Sequence, residues 1–123
     1  MAAAKKKIII IEDEKPMAKA LEIKFNHQGF DATAVFNGKE GIDLIEKEQF
    51  SLILLDLVMP VMNGFEVLEA LKKKNNTIPV IILSNLSQEE DEKRAKALGA
   101  KEFYIKSNTP IATIIERAKE LLK

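Results

Sequence analysis

The sequence predicts a doubly wound α/β fold, a five-stranded parallel sheet with helices on both faces. Three observations carry that prediction. Strand-like and helix-like segments alternate five times along 123 residues, the pattern of successive βαβ units. Three of the strand-like segments, around residues 8–11, 52–55 and 80–83, are continuous apolar runs, which marks strands buried on both faces. Those runs end on polar groups: Glu12-Asp13, Asp56 and Ser84. A charge costs too much inside a buried strand. The acids therefore belong at the exposed carboxyl ends, the edge where open α/β sheets hold their ligands.

Each element follows from local chemistry. Residues 7–11 are the first strand. A helix follows over 14–28, with Met17, Leu21, Ile23, Lys24 and Phe25 as an imperfect apolar stripe. Pro16 falls in its first turn, where a missing N–H is harmless, and Gly29 stops it. Residues 31–36 are the second strand. A helix over 38–48 turns Ile42 and Ile45 inward, and 51–55 is the third strand. The helix over 63–73 places Phe65, Leu68 and Leu71 on one face. Gly38 and Gly64 read as turn glycines. The fourth strand, 79–83, carries its proline at the first position.

Ser87 then opens the fourth helix, with Glu90 three residues on as a capping box. The acidic run 89–92 suits the positive end of the helix dipole, and Leu98-Gly99 ends the helix. Residues 102–105 are the fifth strand. Thr109 caps the last helix with Pro110 at its first position. Ile111, Ile114, Ile115, Ala118, Leu121 and Leu122 form its inward stripe. No repeat or linker interrupts the pattern, so the expectation is one domain over 7–123 behind a tail over 1–6.

Composition narrows the function. The chain is 46% hydrophobic, enough for a full core, and Lys+Arg 19 balance Asp+Glu 19. A nucleic-acid binder would carry a basic stripe; these lysines are dispersed, so no direct nucleic-acid contact is expected. The absence of cysteine removes disulfides, thiolate metal sites and a Cys nucleophile. No apolar run spans a bilayer and the first residues lack a signal-peptide core, so a cytoplasmic chain without membrane contact is expected. His27, the only histidine, reads as a surface residue.

The chemistry gathers at one rim. The first strand delivers Glu12 and Asp13, the third Asp56, the fourth Ser84 and the fifth Lys106. The set is rich in oxygen donors and free of His and Cys, which favours Mg²⁺ over zinc or copper. A cation there would screen an incoming phosphoryl group, and Ser84 and Lys106 are placed to donate to its oxygens. Phosphoryl transfer needs such positioning and charge neutralisation more than covalent help. Taken singly, Asp13 reads as a helix cap, Asp56 as a turn former before Met59-Pro60, Ser84 as a loop hydroxyl and Lys106 as a solvated lysine. Their joint order and spacing carry the reading.

That set resembles the receiver domain of two-component response regulators, specifically a single-domain, chemotaxis-type one. The matching residues are Glu12-Asp13, Asp56-Leu57-Val58-Met59-Pro60 with Gly64, Ser84, Ala97-Leu98-Gly99-Ala100 and Phe103-Tyr104-Ile105-Lys106. The resemblance runs from about residue 7 to 123. It implies a flavodoxin-like (βα)5 sheet of strand order 2-1-3-4-5, the order for which the chemotaxis regulator is itself a standard example.

It also implies roles. Asp56 takes a phosphoryl group from the phosphohistidine of a sensor histidine kinase or phosphotransfer protein. Asp13, Asp56 and the backbone carbonyl of Val58 hold Mg²⁺, with Glu12 acting through a water on the ion. Lys106 pairs with the phosphoryl group. Ser84 moves to bond it and Phe103 swings inward behind Ser84. The changed face of fourth helix, fifth strand and fifth helix is read by a downstream protein, with the chain a monomer or a phosphorylation-dependent dimer. The chain is thus a switch rather than an enzyme with an outside substrate, catalysing its own phosphoryl transfer and a slow autodephosphorylation.

Three positions depart from the commonest pattern. Glu12 stands where Asp is more frequent. Ser107 follows the lysine where the family often has proline, with a cis peptide. Val58 and Leu86 stand two residues beyond Asp56 and Ser84, where polar groups in the family help orient the hydrolytic water; apolar side chains do not, which implies a long-lived phosphate. Three other readings compete. A pseudo-receiver acting only as a scaffold would have no need of the full acid, hydroxyl and lysine set. An FMN-binding electron carrier of the same topology would have a Ser/Thr/Gly-rich phosphate loop after the first strand. A receiver cut from a longer regulator would act through an output domain, none of which is visible here.

Overall fold

The computed structural model describes residues 5–123. Of the tail expected over 1–6, residues 1–4 lie outside the described residues, and Lys5 and Lys6 are exposed and belong to no strand or helix. The elements run β1 (Lys7–Ile11), α1 (Lys15–His27), β2 (Asp31–Val35), α2 (Gly38–Lys47), β3 (Leu52–Leu55), α3 (Gly64–Lys73), β4 (Val80–Ser84), α4 (Glu89–Ala97), β5 (Glu102–Ile105) and α5 (Ile111–Leu121), with a 3₁₀ turn at Lys106–Asn108. The strands form one parallel sheet in the order β2-β1-β3-β4-β5, as the resemblance implied.

The sheet has two buried faces because its three central strands carry unbroken apolar runs, at residues 8–11, 52–55 and 80–83. Ile9, Ile11, Ile53, Leu55 and Ile82 pack on one side with Phe65, Leu68 and Leu71 of α3. Ile8, Ile10, Leu52, Leu54, Ile81 and Leu83 pack on the other with Leu21 and Phe25 of α1 and Ile114 and Ala118 of α5. Each fully buried Ile or Leu contributes about 1.5–3 kcal/mol relative to exposure, so the three central strands fix the sheet. β5, at the edge, is only half-buried throughout.

Helix starts differ from the sequence expectation at two places. Ser87 does not cap α4: Gln88 is the cap residue, and no side chain bonds the first turn. Thr109 does not cap α5: Pro110 is the cap residue, and the Thr109 hydroxyl donates back to the Ile105 carbonyl at 2.8 Å. The 3₁₀ turn after β5 recruits Thr109 to close itself. The Thr109 signal was spent on a local turn, which competes with a cap, and Ser87 lies one residue ahead of the α4 cap position. Ile23, expected in the inward stripe of α1, is exposed; Ala18 lies inside in its place. The capping box that does form is on α3, where Asn63 and Glu66 exchange bonds at 3.0 Å.

Gly64 is a glycine for closeness rather than for a turn. A Cβ there would meet the Asp56 carbonyl oxygen at 2.4 Å and the Leu57 Cα at 2.7 Å. The Gly64 N–H donates to the Leu57 carbonyl at 3.0 Å. The start of α3 is therefore seated directly on the backbone that carries Asp56. Gly38 is likewise set by closeness, with the Met62 carbonyl oxygen 2.3 Å from its would-be Cβ.

Candidate functional site

The carboxyl ends of β1, β3, β4 and β5 meet in a cleft of about 370 Å³ lined by Asp13, Glu14, Asp56, Val58, Ser84, Asn85, Leu86 and Lys106. Register places the acids side by side. Ile11 pairs with Leu55, and the parallel ladder continues one step further: the Asp56 N–H donates to the Ile11 carbonyl at 3.0 Å. On the other side, the Glu12 N–H donates to the Val35 carbonyl at 3.1 Å. Carboxylate oxygens of Glu12, Asp13 and Asp56 consequently lie within 4.8 Å of one another. Glu12 and Asp56 are buried and Asp13 is half-buried.

The loop after β3 keeps a two-residue alternation. Leu57 and Met59 are buried, while Val58 between them is exposed. The Val58 N–H turns back to Asp56 Oδ1 at 3.3 Å, which orients that carboxylate. Ser84, at the end of β4, is fully buried, and its Oγ accepts a long bond from the Leu86 N–H at 3.4 Å. Phe103, on β5, is half-buried and packs against the α3–α4 side of the core.

Lys106 holds the cleft together. Its Nζ lies 2.5 Å from Glu12 Oε1, 2.6 Å from Glu14 Oε1 and 3.0 Å from Asp56 Oδ2. The peptide bonds around it are trans, as are all others among the described residues. The Ser107 N–H donates to Asn85 Oδ1 at 3.2 Å, linking the β4 and β5 loops. The structure brings together the residues that the sequence placed at this rim, Glu12, Asp13, Asp56, Ser84 and Lys106. The sequence reading missed Glu14 and Asn85. Glu14 was absorbed as the opening residue of a helix, and its run-on from Glu12-Asp13 was the available signal. Asn85 had none beyond its place next to Ser84.

The electrostatics follow from crowding acids around one ammonium. Burial pushes the Glu12 carboxyl up to about 7, and the nearby Asp56 charge adds to it; the Lys106 and Glu14 N–H bonds only partly offset this. Burial alone would lower the Lys106 pKa, but its bonds to Glu12, Glu14 and Asp56 outweigh that and hold it raised. Both shifts favour the protonated form, for Glu12 through burial and for Lys106 through its carboxylate partners. On the outer face, Arg117 of α5 grips Glu102 of β5 through Nη2 at 2.6 Å and Nε at 3.2 Å, and the Tyr104 hydroxyl donates to the same carboxylate at 2.7 Å. The Arg117 bonds hold Glu102 below the usual carboxylate range.

A parallel 2-1-3-4-5 sheet with paired acids, a strand-end aspartate and a lysine at one rim defines a flavodoxin-like, CheY-type α/β domain. Residues 8–119 match the response regulator receiver domain family, and the chain belongs to it. It is 34% identical over 99 residues to an uncharacterized transcriptional regulatory protein, YkoG, of Bacillus subtilis strain 168, a match covering 80% of this chain and 43% of that protein. The chain thus spans under half the length of that curated relative. The receiver domain of Francisella response regulator 1452 superposes with a TM-score of 0.90 at 32% identity, covering 95% of this chain and 96% of that one. A CheY-like response regulator receiver domain protein from Methanospirillum hungatei JF-1 gives 0.90 at 25% identity, covering 97% and 94%. Receiver domains are the signalling switches of two-component systems; they bind Mg²⁺ at an acidic pocket and meet histidine kinases and downstream effectors. Among the described residues, no helix is long and apolar enough to cross a membrane.

The raised Glu12 makes cation-free stability depend on pH. A carboxyl that is higher in the folded chain than its ordinary 4.5 stabilises most at low pH, and that contribution is lost as pH rises through about 7. With the cation chelated, unfolding free energy is expected to fall by on the order of 1–3 kcal/mol between about pH 5 and pH 8. Glu12→Gln is expected to flatten that slope in denaturant titrations; equal slopes for both proteins would contradict the assignment.

Proposed function

We propose that Asp56 is the phosphoacceptor of a two-component phosphoryl switch. The observation that carries this reading is the position of its carboxylate: buried at the cleft floor, 3.0 Å from the Lys106 ammonium and beside Glu12 and Asp13. An Asp56 carboxylate oxygen attacks the phosphorus of a phosphohistidine on a sensor kinase or phosphotransfer protein. The P–O bond forms as the P–N bond breaks, and the imidazole nitrogen keeps the electron pair. The product is an aspartyl phosphate. Lys106 pairs with the phosphoryl oxygens as their charge arrives.

The donor set fits a hard cation, since it is carboxylate and carbonyl oxygen without His or Cys. Asp13, Asp56 and the Val58 carbonyl would hold Mg²⁺, with Glu12 behind them. When bound, the ion supplies the positive charge that lets a phosphoryl group approach an acidic cleft. Ser84 carries the response. Its Oγ accepts only the long Leu86 bond among the described residues, so its O–H is available to a phosphoryl oxygen once the loop closes. Movement of Ser84 opens space into which Phe103 turns, and the α4–β5–α5 face changes for a downstream protein. α4 suits such a readout because it is lightly attached: among its residues only Ala95 is buried, and Arg94 stacks on Phe65 of α3 at 4.1 Å.

Intact mass after incubation with Mg²⁺ and acetyl phosphate tests the acceptor. One added phosphoryl group is expected on the wild type and none on Asp56→Asn; no addition to a folded wild type would move the reading to a pseudo-receiver. The exposed Val58 and half-buried Leu86 on the cleft wall offer an attacking water no hydrogen bond. Self-dephosphorylation is accordingly slow, and the Val58→Asn, Leu86→Glu double variant is expected to lose phosphate several-fold faster. An unchanged decay rate would remove these side chains from the account.

A further inference from the structure

Three carboxylates surround one ammonium: Lys106 Nζ donates hydrogen bonds to Glu14 Oε1 at 2.6 Å and Asp56 Oδ2 at 3.0 Å, and is ion-paired with Glu12 Oε1 at 2.5 Å. The three carboxylates enclose the ammonium at 2.5–3.0 Å, so one of them must give way when Lys106 binds an incoming group. The partners are unequal. The side chains of Glu12 and Asp56 are 4% and 5% exposed, whereas that of Glu14 is 59% exposed. Releasing Glu12 or Asp56 would strand a buried charge. Releasing Glu14 returns its carboxylate to water at little loss.

Glu14 is also fixed to the cleft by its own backbone. Its N–H donates to Glu12 Oε2 at 3.0 Å, and it is the cap residue of α1. Its side chain lines the same cleft as Asp13 and Asp56. It therefore adds a fourth negative charge where a cation is wanted and a phosphoryl group is repelled.

We infer that Glu14 is a positioning residue that holds the Lys106 ammonium in the unloaded cleft, yields it when a phosphoryl group arrives, and thereby sets the balance between cation binding and phosphoryl capture. This rests on the reading of Asp56 as phosphoacceptor. Mg²⁺ and phosphoryl groups respond to that charge with opposite signs. A Glu14 that merely capped α1 would change neither binding equilibrium in that opposed way.

The test uses the full chain as wild type, Glu14→Gln and Glu14→Asp. Isothermal titration gives the Mg²⁺ dissociation constant, and intact mass against time gives the rate of phosphoryl addition from acetyl phosphate at saturating Mg²⁺. For Glu14→Gln, Mg²⁺ is expected to bind about two- to fivefold more weakly and phosphoryl addition to run about two- to fivefold faster, the range for one exposed charge pair. Glu14→Asp keeps the charge and is expected to restore Mg²⁺ affinity to near the wild-type value. Any other pattern for Glu14→Gln, including no change or movement of both binding and rate in the same sense, overturns the proposal while leaving Asp56 as acceptor. A wild type that takes up no phosphoryl group fails the underlying reading, and the proposal falls with it.

Discussion

The buried ammonium of Lys106, shared among Glu12, Glu14 and Asp56, is the interaction on which the cleft depends. Two carboxylates at the ends of adjacent buried strands would repel each other in a low-dielectric setting. One positive charge from the turn after the fifth strand makes their juxtaposition tolerable, and it does so incompletely. Burial is the main cause of the upward push on Glu12, and the Asp56 charge adds to it. A cleft left short of positive charge is ready for a cation, and with the cation in place it is ready for an anion.

The fold delivers this arrangement through backbone register rather than through side-chain search. The ladder bonds from Asp56 to Ile11 and from Glu12 to Val35 set two acids at one height on the sheet edge. The close seating of Gly64 on the Asp56 backbone keeps the loop after β3 from drifting. Lys106 opens the turn directly after the sheet's edge strand, β5, which is half-buried and tied outward by the Arg117–Glu102–Tyr104 cluster. The rigid half of the site is therefore central in the sheet, and the part able to move is at its edge. That division suits a switch whose chemistry is read on its flank.

Much of this was legible in the sequence because buried parallel strands leave a simple trace. Unbroken apolar runs such as residues 52–55, ended by a single charge, locate both the sheet and its functional edge. Helix bodies were legible from their apolar faces, as with Phe65, Leu68 and Leu71. Helix starts were less so: Thr109 has a turn role that competes with capping, and α4 starts one residue later than Ser87 would place it. Ile23 looked inward by its chemistry but faces solvent, where apolar residues also occur singly. Glu14 stayed hidden for a different reason. Its partner is 92 positions away, and no local pattern reports that a helix-opening glutamate will meet a lysine from the far strand.

The charge balance at Lys106 is the claim that the rest hangs from, and removing that charge tests it most directly. The measurement is the unfolding free energy of Lys106→Gln against wild type at about pH 8, with and without Mg²⁺. The account predicts a loss of about 3–5 kcal/mol in chelator, the usual effect of stranding buried charges, with most of it restored by the cation. Equal stability of the two proteins in chelator would contradict it.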